Sequence, residues 1–201
     1  MALESLKNKE EKGTMFRSKF LEVFTKTNPV LHILTYGSFM AWCFWMNTAN
    51  LTNSIIFYIL GVLIWTLKEY MLHRFLFHIP ASRFQYIIHG IHHEFPRDRE
   101  RLLMPPLPGT IIFLVFLSFW WIILRENVFI FLAGLLLGYL FYTTIHYIVH
   151  AYKPVKPIKF FWEHHHKHHN PKFEDKAFGV STMLWDYVFG TMPNEKTVSK
   201  Q

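Results

Sequence analysis

Between Lys26 and Lys68 the chain runs for 41 residues without an Asp, Glu, Lys or Arg, about twice the 20 or so residues that one helix needs to cross a bilayer. The polar stretch Met46-Asn47-Thr48-Ala49-Asn50 divides this run and predicts a turn between a helix near Pro29 to Trp45 and another near Leu51 to Leu67. A second apolar pair is predicted at Leu107 to Leu124 and Val128 to Ile145, divided only by Arg125-Glu126-Asn127, a turn of the length that joins antiparallel neighbours. The pattern predicts an all-α integral membrane fold with four transmembrane helices in two hairpins.

The positive residues orient these spans. Six Lys and Arg precede the first span, none lies in the first turn, six lie from Lys68 to Arg101, one lies in the second turn and eight follow the last span. By the positive-inside rule, both termini and the middle segment face the cytoplasm. The expected layout is one domain over 1–201: a cytoplasmic segment 1–28, two hairpins over 29–145 with a cytoplasmic segment 68–106 between them, and a helical cytoplasmic cap at 146–201. The N-terminus is charged and has no apolar core of a signal peptide, so no cleaved leader is expected.

Composition agrees with a membrane protein and excludes other classes. Hydrophobic residues make up 51% of the chain, aromatic ones 18% and charged ones 17%, against about 25% charged in a soluble domain. The single cysteine, Cys43, excludes an internal disulfide and thiolate-rich zinc sites. The formal charge of +7 reports topology here rather than a nucleic-acid partner. Lys and Arg flanking the spans suit anionic headgroups.

Composition does not explain thirteen histidines. His73 and His78 form H-x₄-H, His89, His92 and His93 form H-x₂-H-H, His146 and His150 form H-x₃-H, and His165, His168 and His169 repeat H-x₂-H-H. On an α-helix, positions i, i+3 and i+4 share a face, so each triplet aims three rings one way and the H-x₃-H pair does the same. His73 and His78 differ: five residues apart is about 140° on an ideal helix, so the helix must end or bend between them, and Pro80 predicts an ending. Ten imidazoles are too many for one ion and suit two ions with five each. No thiolate and no obvious hydrolytic base accompany them, which favours redox iron and O₂ over a zinc hydrolase. Zinc binds such sites more tightly than Fe²⁺, so zinc is expected to replace iron on purification.

Other residues receive plainer readings. His32 reads as a core residue or a polar contact between helices, and His164 and His166 as supporting or solvent-facing rings. Gly134 and Gly138 form a small-xxx-small face suited to close helix packing. Asp186 suits either a hydrogen bond to a ligand imidazole or a helix cap.

The segment from Tyr70 through HRFLFH, HGIHH and Met104-Pro105-Pro106, then LLLGYLFYTTIHYIVHAY, then EHHHKHH and FGVSTMLWDYVFGT, resembles the fatty acid 2-hydroxylases of the fatty acid hydroxylase (sterol desaturase-like) superfamily. The resemblance implies a dimetal centre on the ten histidines and places Tyr139 and Tyr142 near the substrate opening. It implies O₂-dependent hydroxylation of a long acyl chain at C2, with two iron ions as cofactors and the acyl tail in an apolar slot between helices. The family often has Asp where this chain has Thr143. Without a fused cytochrome b5-like domain, electrons are expected from a separate donor, cytochrome b5-like or ferredoxin-like. The lack of that domain and of a retrieval tail points to a bacterial inner membrane ahead of the endoplasmic reticulum. A sibling oxygenase acting on a carotenoid, sterol or lipid head group is the alternative. A non-catalytic membrane metal-binding protein ranks below both, because the spans offer His32 and little else as a polar path.

Overall fold

The computed structural model describes residues 12–78, 85–173 and 175–194, and every regular element among them is helical. The α-helices are α1 (Lys19–Val23), α2 (Pro29–Trp45), α3 (Leu51–Met71), α4 (Ile91–Glu94), α5 (Pro106–Leu124), α6 (Val128–Ala151), α7 (Lys159–His168) and α8 (Leu184–Val188). Two π-helical segments, Leu72–Phe77 and Tyr86–Gly90, lie between α3 and α4.

Local chemistry sets the long helices. Asn28 caps α2 by accepting from Leu31 N at 2.9 Å, with Pro29 in the first turn, where a missing N–H costs nothing. Asn50 caps α3 in the same way through Asn53 N. The second turn is a single 3₁₀ turn, Arg125–Asn127, entered through Arg125 at φ 50. Both turns and four long apolar helices therefore stand where the polar interruptions predict them.

The helices are arranged less simply than as two self-contained hairpins. α6 is the centre of the bundle: Val128 to Leu136 are buried in succession on every side of the helix, as expected of a helix apolar all round. It packs most extensively against α3 and next against α2, whereas α2 and α3 diverge after their shared turn. Glycine makes this possible. A Cβ on Gly61 of α3 would strike Phe131 O, and one on Gly134 of α6 would strike Tyr58 O, so the two backbones touch at this crossing. Trp65 fills the space beside Gly138 in the same way.

Outer faces of α2, α3 and α5 remain apolar. Val30, Trp45, Leu51 and Ile122 are 68 to 80% exposed, an extent of apolar surface that marks a lipid or protein contact. The stretches Leu51–Phe77 and Pro106–Ala151 are long and apolar enough to cross a membrane. Around one end of the bundle lie the polar segments. Arg101 joins Glu22 and Asp98, and Glu100 joins Lys12 and Lys26, tying the residues before α2 to those after α4. α7 packs on the end of α6 that carries His146 and His150, and α8 packs on α3.

Candidate metal centre

The local backbone explains how the histidine spacings converge. α6 continues well past Ile145, so His146 and His150 project one turn apart from the same rigid rod that forms the bundle core. His165, His168 and His169 come from α7 and its C-terminal residue. The predicted break between His73 and His78 takes another form: Leu72–Phe77 is π-helical. Its i→i+5 bonding brings residues five apart onto one side of the turn, which an α-helix cannot do. Pro80 lies outside the described residues. A second π segment carries His89 and leads into α4, which carries His92 and His93.

All ten predicted rings are brought together, in two adjoining groups. His73, His78, His89, His93 and His168 form one, with ligand-capable atoms all within 4.8 Å of one another; His92, His150, His165 and His169 form the other. His146 joins the second group through His92, with 3.1 Å between their Nε2 atoms. The groups meet where the His93 and His169 rings stack at 4.2 Å.

Hydrogen bonding decides what these rings can hold. His73 Nδ1 donates to Phe178 O, His168 Nδ1 to Lys176 O at 2.9 Å, and His146 Nδ1 to Leu102 O at 3.2 Å. A carbonyl only accepts, so each of these rings carries its proton on Nδ1 and presents a bare Nε2 lone pair. Those lone pairs face other ring nitrogens, His73 to His89 at 3.1 Å, His168 to His78 at 3.0 Å and His146 to His92 at 3.1 Å, and further Nε2 atoms crowd the same site, His89 and His93 at 2.8 Å and His150 and His165 at 2.7 Å. Lone pairs converging in a buried site repel one another unless a cation stands among them. Burial, reinforced by neighbouring imidazoles, also keeps the rings neutral. His89, His92, His165 and His169 are held well below the usual histidine value, His93 is lowered to about 3 and His168 to about 4. Neutral imidazole is the form that binds metal, so the donor set fits two nitrogen-ligated transition-metal ions.

Two buried carboxylates hold the surrounding loop. Asp186 accepts from Phe178 N at 2.9 Å, Gly179 N at 2.8 Å, Thr191 Oγ1 at 2.7 Å and His164 Nε2 at 3.0 Å. Burial alone would raise this carboxyl, but the bonds from His164, Thr191 and Gly179 hold it below the ordinary value. Asp186 thus bonds His164 rather than one of the ten, and acts on His73 through the Phe178 carbonyl. Glu69 takes the next two amides, Val180 N at 2.7 Å and Ser181 N at 2.8 Å, and also the Ser181 hydroxyl. Sequence reasoning missed Glu69. Its signal was the first carboxylate after the long uncharged run, one turn before the first of the ten histidines.

Other predicted residues fall outside the two groups. Tyr142 lies nearly parallel to His146 with ring centres 5.6 Å apart. Tyr139 is set deeper, 4.8 Å from Tyr36 and 5.1 Å from Trp65. His32 is a contact between helices: Nδ1 reaches Met104 O at 3.2 Å and Nε2 reaches Thr143 Oγ1 at 3.1 Å. A cleft beside it, lined by Ile33, Leu103, Tyr147 and Ile148, encloses about 70 Å³, too little for a long acyl tail. His166 stacks on Trp162 at 3.8 Å.

Comparison with known proteins bears on the same residues. The family model described as fatty acid hydroxylase matches residues 58–191. A dihydroceramide fatty acyl 2-hydroxylase of Arabidopsis thaliana is 32% identical over 205 residues, covering 96% of this chain and 85% of that protein. The fatty acid 2-hydroxylase of Rattus norvegicus is 42% identical over 152 residues, covering 71% of this chain but 41% of that protein, so the chain spans less than half of this relative. The solved structure of full-length scs7p, in which only the hydroxylase domain is visible, superposes with a TM-score of 0.75 at 33% identity, over 88% of this chain and 70% of that one.

Proposed function

The chain belongs to the fatty acid hydroxylase family, and on that premise we propose that it hydroxylates a long acyl chain at C2 using O₂ and two iron ions. The carrying observation is the convergence of ten imidazoles, in two groups, at one end of an apolar helical bundle. We assign His73, His78, His89, His93 and His168 to one ion, and His92, His146, His150, His165 and His169 to the other. Iron held there would supply O₂ activation, one oxygen atom entering the C2–H bond and the other leaving as water at the expense of two electrons from a donor and two protons.

The chain's own residues account for the rest. Carbonyls of Phe178, Lys176 and Leu102 fix the tautomers of His73, His168 and His146, so these rings need no reorientation when a metal enters. In the proposed topology α2, α3, α5 and α6 span the bilayer and the histidine end faces the cytoplasm, with Lys and Arg of the middle and C-terminal segments on that side. The polar head of the acyl lipid then rests at the interface while its tail follows the apolar helices, so depth selects C2. Tyr142, packed on His146, is the residue we place beside the substrate; Tyr139 supports it from the layer beneath. The relatives named above include acyl hydroxylases of a plant and a mammal, which favours the endoplasmic reticulum over the bacterial inner membrane.

The test is expression in a host without 2-hydroxy acyl lipids, followed by mass spectrometry of the acyl chains under ¹⁸O₂. Product carrying one ¹⁸O at C2 is expected, and its loss when His92→Ala and His168→Ala are combined. Product persisting in that double variant would refute the metal assignment, whereas a hydroxylated sterol or carotenoid with unmodified acyl chains would overturn the substrate.

A further inference from the structure

The second histidine group depends on a carbonyl that lies beside a buried arginine. His146 Nδ1 donates to Leu102 O at 3.2 Å, and its Nε2 stands 3.1 Å from His92 Nε2. Leu102 follows Arg101, whose side chain is 2% exposed. A guanidinium carries five N–H donors in a planar fork, and here they reach into two separate stretches of chain. Nε and Nη2 donate to Gly13 O at 3.1 and 2.7 Å, Nη1 donates to Thr25 Oγ1 at 2.6 Å, and the carboxylates of Glu22 and Asp98 accept from the same fork.

Gly13, Glu22 and Thr25 belong to a strap that precedes α2, and Asp98 to the turn that leads into Leu102. Glu22 gathers the strap further by accepting from Met15 N at 3.1 Å and Phe16 N at 2.9 Å, and Thr27 N donates to Glu100 O at 2.9 Å. Gly13 rests on Ile91 and Phe95, so closely that a Cβ there would stand 2.8 Å from each. α4 supplies one ring to each histidine group, His92 and His93, whereas the Leu102 carbonyl serves the second group. The corresponding carbonyls of the first group come from Lys176 and Phe178, remote from the strap in sequence.

We propose that Arg101 is a positioning residue for the second metal ion: by clamping the strap of residues 13–27 onto the turn at 95–101, it fixes the Leu102 carbonyl and through it the tautomer and direction of the His146 ring. This inference rests on the two-ion reading above. Arg101 touches none of the ten rings and acts through the backbone. Without its fork, Glu22 and Asp98 lose their shared cation, the strap is free to lift, and the turn can shift. A Leu102 carbonyl that moves away leaves His146 Nδ1 without its acceptor, and the ring can then exchange tautomers or turn its lone pair out of the site. A residue that merely added stability would loosen both ions alike.

The test measures Zn²⁺ affinity of the full-length protein in detergent micelles by competition with a chelator, so that each of two ions is read without turnover. Arg101→Gln is expected to weaken one ion about tenfold, the lower end of what lost supporting bonds cost a metal site, and to leave the other at its parent affinity. Glu22→Ala loosens the strap while leaving the 98–102 turn and Arg101 in place. It is expected to weaken the same ion, and it decides the question by itself if Arg101→Gln yields no folded protein. Background variants identify the ion. The loss is expected to persist with His168→Ala, a ring of the first group, and to vanish with His146→Ala, because the carbonyl then has no ring to orient. No change in either ion, equal weakening of both, or a loss that persists on the His146→Ala background would each overturn the proposal. Fewer than two ions bound by the parent protein would overturn the two-ion reading and this inference with it, whereas two ions in the parent with unaltered variants would remove this inference alone.

Discussion

Replacing Glu69 tests whether the loop over the first histidine group is held by charge and hydrogen bonding. The carboxylate is 5% exposed and accepts from two backbone amides and one hydroxyl of residues 180 and 181. Glu69→Ala leaves both amides buried without a partner, at about 1–3 kcal/mol each. The Ser181 hydroxyl can rotate, so the total is roughly 2–6 kcal/mol, a large share of the ~5–15 kcal/mol that separates a typical folded domain from its unfolded state. Glu69→Gln keeps the shape. Its carbonyl can accept from both amides and its NH₂ can donate to Ser181 Oγ, leaving only the loss of charge assistance, about 1 kcal/mol. Because the Phe178 carbonyl two residues away orients His73, disorder in the loop reaches the metal, where lost supporting bonds typically cost about 10–100-fold in affinity. The assay is metal per chain after dialysis against a weak chelator, with the thermal midpoint in detergent. Glu69→Gln is expected to retain two metals and a near-parent midpoint, and Glu69→Ala to lose one metal and melt lower. Two metals and an unchanged midpoint in Glu69→Ala would refute the reasoning, as would Gln and Ala behaving alike.

Single His168→Ala and His150→Ala variants are each expected to lose about half of the bound metal rather than all of it, read by mass spectrometry of the metals, because they lie in different groups. Gly134→Val places a side chain against the Tyr58 carbonyl and is expected to lower the thermal midpoint and the folded yield, whereas Ser118→Ala on the exposed face of α5 leaves both unchanged. In metal-stripped protein, stability is expected to fall as pH drops below about 6.5: the unfolded chain takes up protons that His93, lowered to about 3, and His168, lowered to about 4, refuse in the fold. A pH series of melts reads this, and a midpoint flat from pH 7 to pH 5 would contradict it.

Helix limits and ligand types are short-range properties, and they were legible along the chain. Charged or polar residues interrupt each apolar run where a turn forms, and Asn28 and Asn50 mark helix starts by supplying acceptors to orphan amides. The H-x₂-H-H and H-x₃-H spacings already imply rings on one face. Three things depended on atoms distant in sequence. The π-helical turn that unites His73 with His78 is a backbone choice made by the packed surroundings. The insertion of α6 between α2 and α3 follows from Gly61 meeting Gly134, residues that can touch only once both helices exist. Nor could spacing assign Glu69 to amides at 180 and 181, since local patterns carry no information about partners more than a hundred residues away. Periodicity and charge determined which residues form helices and which side chains are available to bind metal; tertiary packing decided which ring nitrogens lie in the same group, because that depends on how the helices cross.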